Sequence, residues 1–161
     1  VMVARAVRLL NPQKGERIAD LFCGLGNFSL PLAKSGASVV GIEGADYLVD
    51  RARENARLNR CAENMMFSVA DLFDTDEKTV ESWGQFDKML LDPPRNGAYA
   101  VVKSLHKPFL PQKIVYVSCN PSTFARDAGV LVDKGYKFKV AGIMNMFAQT
   151  SHVESIGVFE L

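Results

Sequence analysis

Apolar residues recur along this chain in two alternating rhythms. Met2, Val3, Ala6, Val7 and Leu10 fall at helical spacing, and Asn11-Pro12 ends the helix they predict. Arg17–Phe22 reads as a strand, followed by a glycine turn and a helix from Asn27 to Ser35. Ser38–Ile42 predicts a second strand, closed by Glu43. Leu48, Val49, Ala52 and Ala56 give the next helix one apolar face, with Asp50, Arg51, Arg53 and Glu54 on the other. Met65–Val69 predicts a third strand that ends near Asp71. The acidic stretch Asp74–Ser82 reads as a surface loop or a short helix. A strand over Phe86–Leu91, a helix near Ala98–His106, a strand over Lys113–Val117 and a helix over Pro121–Lys134 follow. Phe138–Ile143 and Val153–Phe159 have no helix between them, so they pair as antiparallel strands.

Alternating strand and helix predict an α/β fold with a doubly wound, seven-stranded, mostly parallel sheet. Seven strands with a terminal hairpin resemble the Rossmann-like class I methyltransferases. At 161 residues the chain reads as a single domain over 1–161, large enough for a real core. Because a helix is already under way at Val1, it reads as a domain cut from a longer protein.

Composition narrows the setting. No apolar run is long enough to span a bilayer, and Val1–Leu10 lacks a signal-peptide cleavage site. The cysteines number 3 and stand far apart, which suggests neither a disulfide framework nor a metal site and points to the cytoplasm. The net charge of +1 is weak for a nucleic-acid binder. Clusters such as Lys103, His106 and Lys107 read as solvated surface. A nucleic-acid substrate would draw much of its phosphate binding from outside this chain.

Three strand-end motifs carry the candidate chemistry: Asp20-Leu21-Phe22-Cys23-Gly24-Leu25-Gly26-Asn27, Asp92-Pro93-Pro94-Arg95 and Ser118-Cys119-Asn120-Pro121. In open parallel sheets ligands bind at that edge. Gly24 permits a tight turn and Gly26 lets a ligand approach the backbone. The third glycine of a dinucleotide fingerprint is missing, and no Gly-Lys-Ser/Thr supports a P-loop. An adenosyl ligand without a pyrophosphate fits better. Glu43 can accept both ribose hydroxyls, Asp71 the adenine amino group, and Phe22 and Asn27 flank the methionine part. S-adenosylmethionine is the expected cofactor, with NAD the runner-up.

Asn120 is a good helix cap and Pro121 suits the first helical position, so Cys119 lies beside unpaired N–H groups that favour a thiolate. Cys23 and Cys61 read as small buried residues. A thiolate beside a methyl donor suggests methylation of a pyrimidine at carbon 5. That carbon becomes nucleophilic once a thiolate adds to carbon 6, and a base must then remove its proton.

The three motifs, with His152-Val153-Glu154-Ser155, resemble the bacterial RNA 5-methyluridine methyltransferases across essentially the whole chain, most nearly the branch acting on 23S rRNA. The resemblance implies that Cys119 is the nucleophile and Glu154 the base. It implies that Phe22, Asn27, Glu43, Asp71 and Asp92 line the cofactor site, with Gly24 and Gly26 in its turn. Asp92 would also face the N3–H of uracil, and Arg95 would orient the substrate. His152 reads as a structural neighbour of Glu154. No second cysteine follows Pro94, which favours uracil over cytosine. The expected partner is ribosomal RNA, with no membrane and no obligate protein partner. The family's N-terminal RNA-binding barrel and the ribosomal branch's iron–sulfur site are not in this sequence. Alternatives are a tRNA 5-methyluridine methyltransferase, an RNA N-methyltransferase, for which Cys119 is dispensable, and a noncatalytic adenosyl-binding module.

Overall fold

A computed structural model describes residues 2–145 and 153–161. In chain order its elements are α1 (Met2–Leu10), β1 (Arg17–Leu21), α2 (Ser29–Lys34), β2 (Ser38–Glu43), α3 (Asp46–Leu58) and β3 (Met65–Val69). Then come α4 (Glu77–Trp83), β4 (Lys88–Leu91), α5 (Tyr99–Ser104), β5 (Lys113–Ser118), α6 (Pro121–Asp133), β6 (Lys137–Asn145) and β7 (Val153–Glu160). They form one sheet in the order β3-β2-β1-β4-β5-β7-β6. β1 to β5 run parallel, and β7 inserts antiparallel between β5 and β6. The expected seven-stranded, mostly parallel sheet with a terminal hairpin is therefore present.

The strands are apolar on both faces because helices cover both, as a parallel sheet requires. Successive side chains point to opposite sides. Ile18, Leu90, Val115 and Val117 thus pack with α1, α2 and α3 through Leu10, Leu32 and Ala56. Leu21, Met89, Leu91, Ile114 and Tyr116 pack on the other face with Val80, Val101, Val102 and Leu131 of α4, α5 and α6. Each such large apolar side chain contributes about 1.5–3 kcal/mol when fully buried.

The differences from expectation lie at element ends. α2 starts at Ser29 rather than Asn27, because Gly24 and Gly26 hold φ at +53° and +87°, outside the helical region. β4 starts at Lys88 rather than Phe86. Just before it, Asp87 turns its side chain onto the sheet, and Oδ2 accepts from the Arg17 amide at 2.7 Å. The acidic stretch forms α4, capped by Asp76, whose Oδ1 accepts from the Thr79 amide at 2.8 Å. His152 lies outside the described residues.

Candidate active site

Every parallel strand ends at the same edge of the sheet, and β7 begins there. At the end of β1 the amides of Phe22 and Cys23 both donate to the Ile42 carbonyl, at 2.9 and 3.2 Å, which swings the chain across that edge. Phe22 takes a φ of +62°, a strained choice for a bulky residue. At Gly24 an added Cβ would meet nothing within 4 Å, so the positive φ rather than crowding calls for glycine. Glu43, at the end of β2, fastens the turn. Its Oε1 accepts from the Gly24 amide at 3.2 Å and its Oε2 from the Ala45 amide at 3.0 Å.

Beside this turn lies a cavity of ≈ 350 Å3. Its walls include Phe22, Glu43, Asp71, Phe73, Asp92 and Pro93, and among the described residues no lysine or arginine lines it. Phe22 and Phe73 meet at a tilt, with ring centroids 5.6 Å apart. Asp71 Oδ1 accepts from the Phe73 amide at 2.9 Å, so this carboxylate fixes the aromatic wall as well as facing the cavity.

Carboxylates dominate the electrostatics. Asp20 is fully buried, and Ser29 Oγ donates to its Oδ2 at 2.5 Å. Its Oδ1 has no partner among the described residues. Burial pushes the Asp20 carboxyl up to about 7, helped by the charges of Asp92 and Glu43. Asp92 is pushed up to about 7 by burial and by the neighbouring Glu154 carboxylate. Burial raises Glu154 as well.

Cys119 is partly exposed in the turn between β5 and α6. Ser118 and Ser155 are register partners across β5 and β7, so Cys119 and Glu154 are the next positions outward on the two strands. Asn120 caps α6, its Oδ1 accepting from the Ser122 amide at 3.0 Å, and Pro121 opens the helix. The same side chain donates through Nδ2 to the Arg95 carbonyl at 3.0 Å, and Thr123 Oγ1 donates to that carbonyl at 3.0 Å. Fully buried Asp127 completes the clamp. It accepts from the Ala98 amide at 2.8 Å and from Tyr116 Oη at 2.5 Å. The loop that carries Asp92 and Arg95 is thereby fixed to the turn that carries Cys119.

The structure brings Phe22, Glu43, Asp71 and Asp92 to one cavity. Gly24 supports Glu43, and Gly26 is buried against Ala52. Asn27 is exposed and does not line the cavity. Cys119 and Arg95 stand beyond its wall, on the loops that continue from β5 and β4. Cys23 and Cys61 are buried, as expected, and burial drives the Cys23 thiol far up. Sequence reasoning missed Asp20, Phe73 and Asp127. Phe73 carried the one usable signal, an aromatic residue two places after a strand-end acid. Among the described residues no cluster of His, Cys, Asp or Glu is arranged to hold a metal.

The family described as tRNA (uracil-5-)-methyltransferase matches residues 1–160. The whole chain is 73% identical to 36% of the 23S rRNA (uracil(1939)-C(5))-methyltransferase RlmD of Neisseria lactamica (strain 020-06). It is 59% identical to 37% of the protein of the same name from Dechloromonas aromatica (strain RCB). The chain thus spans little more than a third of the length of these relatives. Among solved structures, it is similar to the Pyrococcus abyssi tRNA (uracil-54, C5)-methyltransferase in complex with S-adenosyl-L-homocysteine. The TM-score is 0.79 at 32% identity, over 97% of this chain and 37% of that one.

Proposed function

Because this chain belongs to the tRNA (uracil-5-)-methyltransferase family and has a Rossmann-like methyltransferase fold, we propose that it is the catalytic domain of a uracil-C5 RNA methyltransferase. Its substrate is 23S rRNA, as in the names of its relatives at 73% and 59% identity, and its compartment is the cytoplasm. No helix among the described residues is long and apolar enough to cross a membrane. The domain spans 1–161.

The observation that carries this reading is a cavity walled by carboxylates and aromatic rings, with no basic residue among the described ones, next to the loop fastened to the Cys119 turn. Such a wall suits a cation and an adenine ring, and it offers nothing basic to a pyrophosphate. S-adenosylmethionine fits it better than NAD does. Glu43 keeps acceptor capacity beyond the Gly24 and Ala45 amides, since a carboxylate has about four lone-pair sites. It holds the ribose hydroxyls, Asp71 the adenine amino group, and the Phe22–Asn27 turn with Gly24 and Gly26 the methionine part. The buried, half-satisfied Asp20 adds negative potential beneath that turn. When bound, S-adenosylmethionine supplies an electrophilic methyl group on a cationic sulfur.

The chain's own residues do the rest. Cys119 Sγ, as thiolate, forms a bond to carbon 6 of the uracil. The carbon 5–carbon 6 π pair moves toward the carbon 4 carbonyl, which makes carbon 5 a nucleophile for the methyl group. Asp92 holds the N3–H edge, and Arg95 orients the strand. Glu154 then takes the proton from carbon 5. That electron pair re-forms the double bond and expels Cys119 as thiolate. General base catalysis of this kind is worth about 100- to 10,000-fold.

The test is covalent capture. With S-adenosylmethionine and RNA carrying 5-fluorouridine, carbon 5 has no removable proton, so a protein–RNA adduct persists after methyl transfer. It is expected with the native sequence and lost in Cys119→Ala. Glu154→Gln is expected to trap a methylated adduct on ordinary uridine, seen by mass spectrometry. An adduct that survives Cys119→Ala sinks the mechanism. The family's name also admits a tRNA substrate, and comparing capture of rRNA and tRNA fragments separates the two.

A further inference from the structure

Two cations gather around one exposed tyrosine on α5, the helix that packs against α6. Tyr99, at the start of α5, is 42% exposed. The Arg126 guanidinium carbon lies 5.1 Å from its ring centroid and Lys103 Nζ lies 5.6 Å from it. Arg126 is held on its inner side. Its Nε donates to Asp127 Oδ1 at 3.0 Å and its Nη2 to the Asn96 carbonyl at 2.9 Å. The side chain nevertheless stays 43% exposed, so donors remain on its outer side. Asp127, its ion-pair partner among the described residues, is fully buried and already accepts from Tyr116 and Ala98.

Arg95 is exposed on the same loop as Asn96, and its carbonyl receives Asn120 and Thr123. The loop that carries Arg95 is therefore fastened to the start of α6, next to Cys119 in the chain. Asp76 and Glu77 share a hollow of ≈ 360 Å3 with Lys103 and Tyr99, and the Asp76 carboxylate there caps α4. An ordinary solvated arginine must be ordered when it meets an anion. Arg126 is ordered beforehand by two hydrogen bonds and a ring, so it loses less freedom on binding.

We propose that Lys103 and Arg126, gathered around Tyr99, together with Arg95 on the preceding loop, bind phosphodiester groups of the RNA strand adjoining the uridine that reaches Cys119. This rests on the reading of the chain as an RNA methyltransferase. It gives a binding role to Lys103, which the sequence presents as solvated surface, and it places phosphate contacts within this chain rather than only outside it.

The test is the salt dependence of RNA binding. The probe is a fluorescein-labelled, uridine-containing single-stranded RNA, followed by anisotropy between 50 and 200 mM salt. Each phosphate neutralised on a single strand contributes about 0.7 to the log–log slope. The double variant Arg95→Gln, Lys103→Gln is expected to lower the slope by about 1.4. Tyr99→Ala is expected to weaken binding several-fold with every charge retained, whereas Tyr99→Phe binds as the native sequence does. Calorimetric affinity for S-adenosylmethionine should stay unchanged in all of them, which reports an intact fold. A native slope in the double variant, or no salt-dependent RNA binding by the native chain, overturns the proposal. Salt-dependent RNA binding without S-adenosylmethionine binding or covalent capture would instead overturn the methyltransferase reading and leave this surface standing.

Discussion

Asp20→Asn is expected to stabilise the fold, and by more at high pH than at low. Asp20 is fully buried, with Ser29 bonded to one oxygen and, among the described residues, nothing to the other. Its carboxyl is raised from 3.8 in the unfolded chain to about 7 in the fold, chiefly by burial. A raised carboxyl binds its proton more tightly in the folded state. The stability this contributes is fully present below the unfolded value and is lost as pH rises through the folded one. Some three units at 1.36 kcal/mol each give about 4 kcal/mol in all, of which about 3 kcal/mol falls between about pH 4.5 and pH 8. Because Asp20 has no exposure, screening by solvent does not reduce this figure to a surface value. Asparagine keeps the shape and removes the charge. Urea denaturation of both proteins across that pH range isolates Asp20, since Asp92 and Glu154 titrate in each. The variant's advantage should grow toward alkaline pH and level off above about pH 7.5. A stability difference that stays flat with pH would refute the claim that Asp20 holds a proton in the fold.

The same carboxylates predict that cofactor binding moves protons. Asp20 and Asp92 both sit at about 7, so a cationic ligand at pH 7 drives them toward their charged forms and releases protons. Affinity for S-adenosylmethionine should fall as pH drops below about 7, and neutral S-adenosylhomocysteine should release fewer protons. Calorimetry in two buffers of different ionisation enthalpy checks this, and equal heats in both buffers for both ligands would contradict it. Asp127→Ala strands the buried Ala98 amide and Tyr116 hydroxyl, about 1–3 kcal/mol each. A summed loss of about 2–6 kcal/mol is expected in urea denaturation, with a smaller loss for Asp127→Asn, which keeps an acceptor. A loss under about 1 kcal/mol for Asp127→Ala would show that those groups find other partners.

The order of strands and helices was legible because each carries its own periodicity, period two against 3.6, over enough residues to be distinctive. The three strand-end motifs were legible because parallel topology sends every strand end to one edge, whatever the packing details. What the chain did not disclose depends on contacts between distant segments. Asp20 looks like any acid at a strand end until Ser29 of α2 closes over it. Asp127 sits in an α6 whose neighbours Arg126 and Gly129 are exposed, and it is buried because the Asn96–Ala98 loop lies on it. That loop approaches closely only because residue 97 is glycine. At a φ of +80°, an added Cβ would come within 2.7 Å of Asp127 Oδ2. The positive φ of Phe22 was hidden for a related reason, since the Ile42 carbonyl that receives its amide lies on a neighbouring strand.

The net charge of +1 conceals a separation that matters for how the two ligands are told apart. Glu43, Asp71 and Asp92 line the cavity, and Arg95, Lys103 and Arg126 stand outside it. A phosphate entering the cavity would meet the carboxylates of Glu43, Asp71 and Asp92, and like charges repel. On the outer surface a sulfonium would meet Arg126, while Lys103 shares its hollow with Asp76 and Glu77. An anion is therefore disfavoured in the cavity, and exclusion of a wrong ligand is one half of discrimination. The clamp from Asn120, Thr123 and Asp127 keeps the two regions in fixed register, because it joins the loop after β4 to the start of α6. If the loop slipped, Asp92 would leave the cavity wall and Arg95 would leave the strand path together. The cavity wall at Asp92 and the proposed phosphate contact at Arg95 are built on one loop, so a displacement that harmed one would harm both.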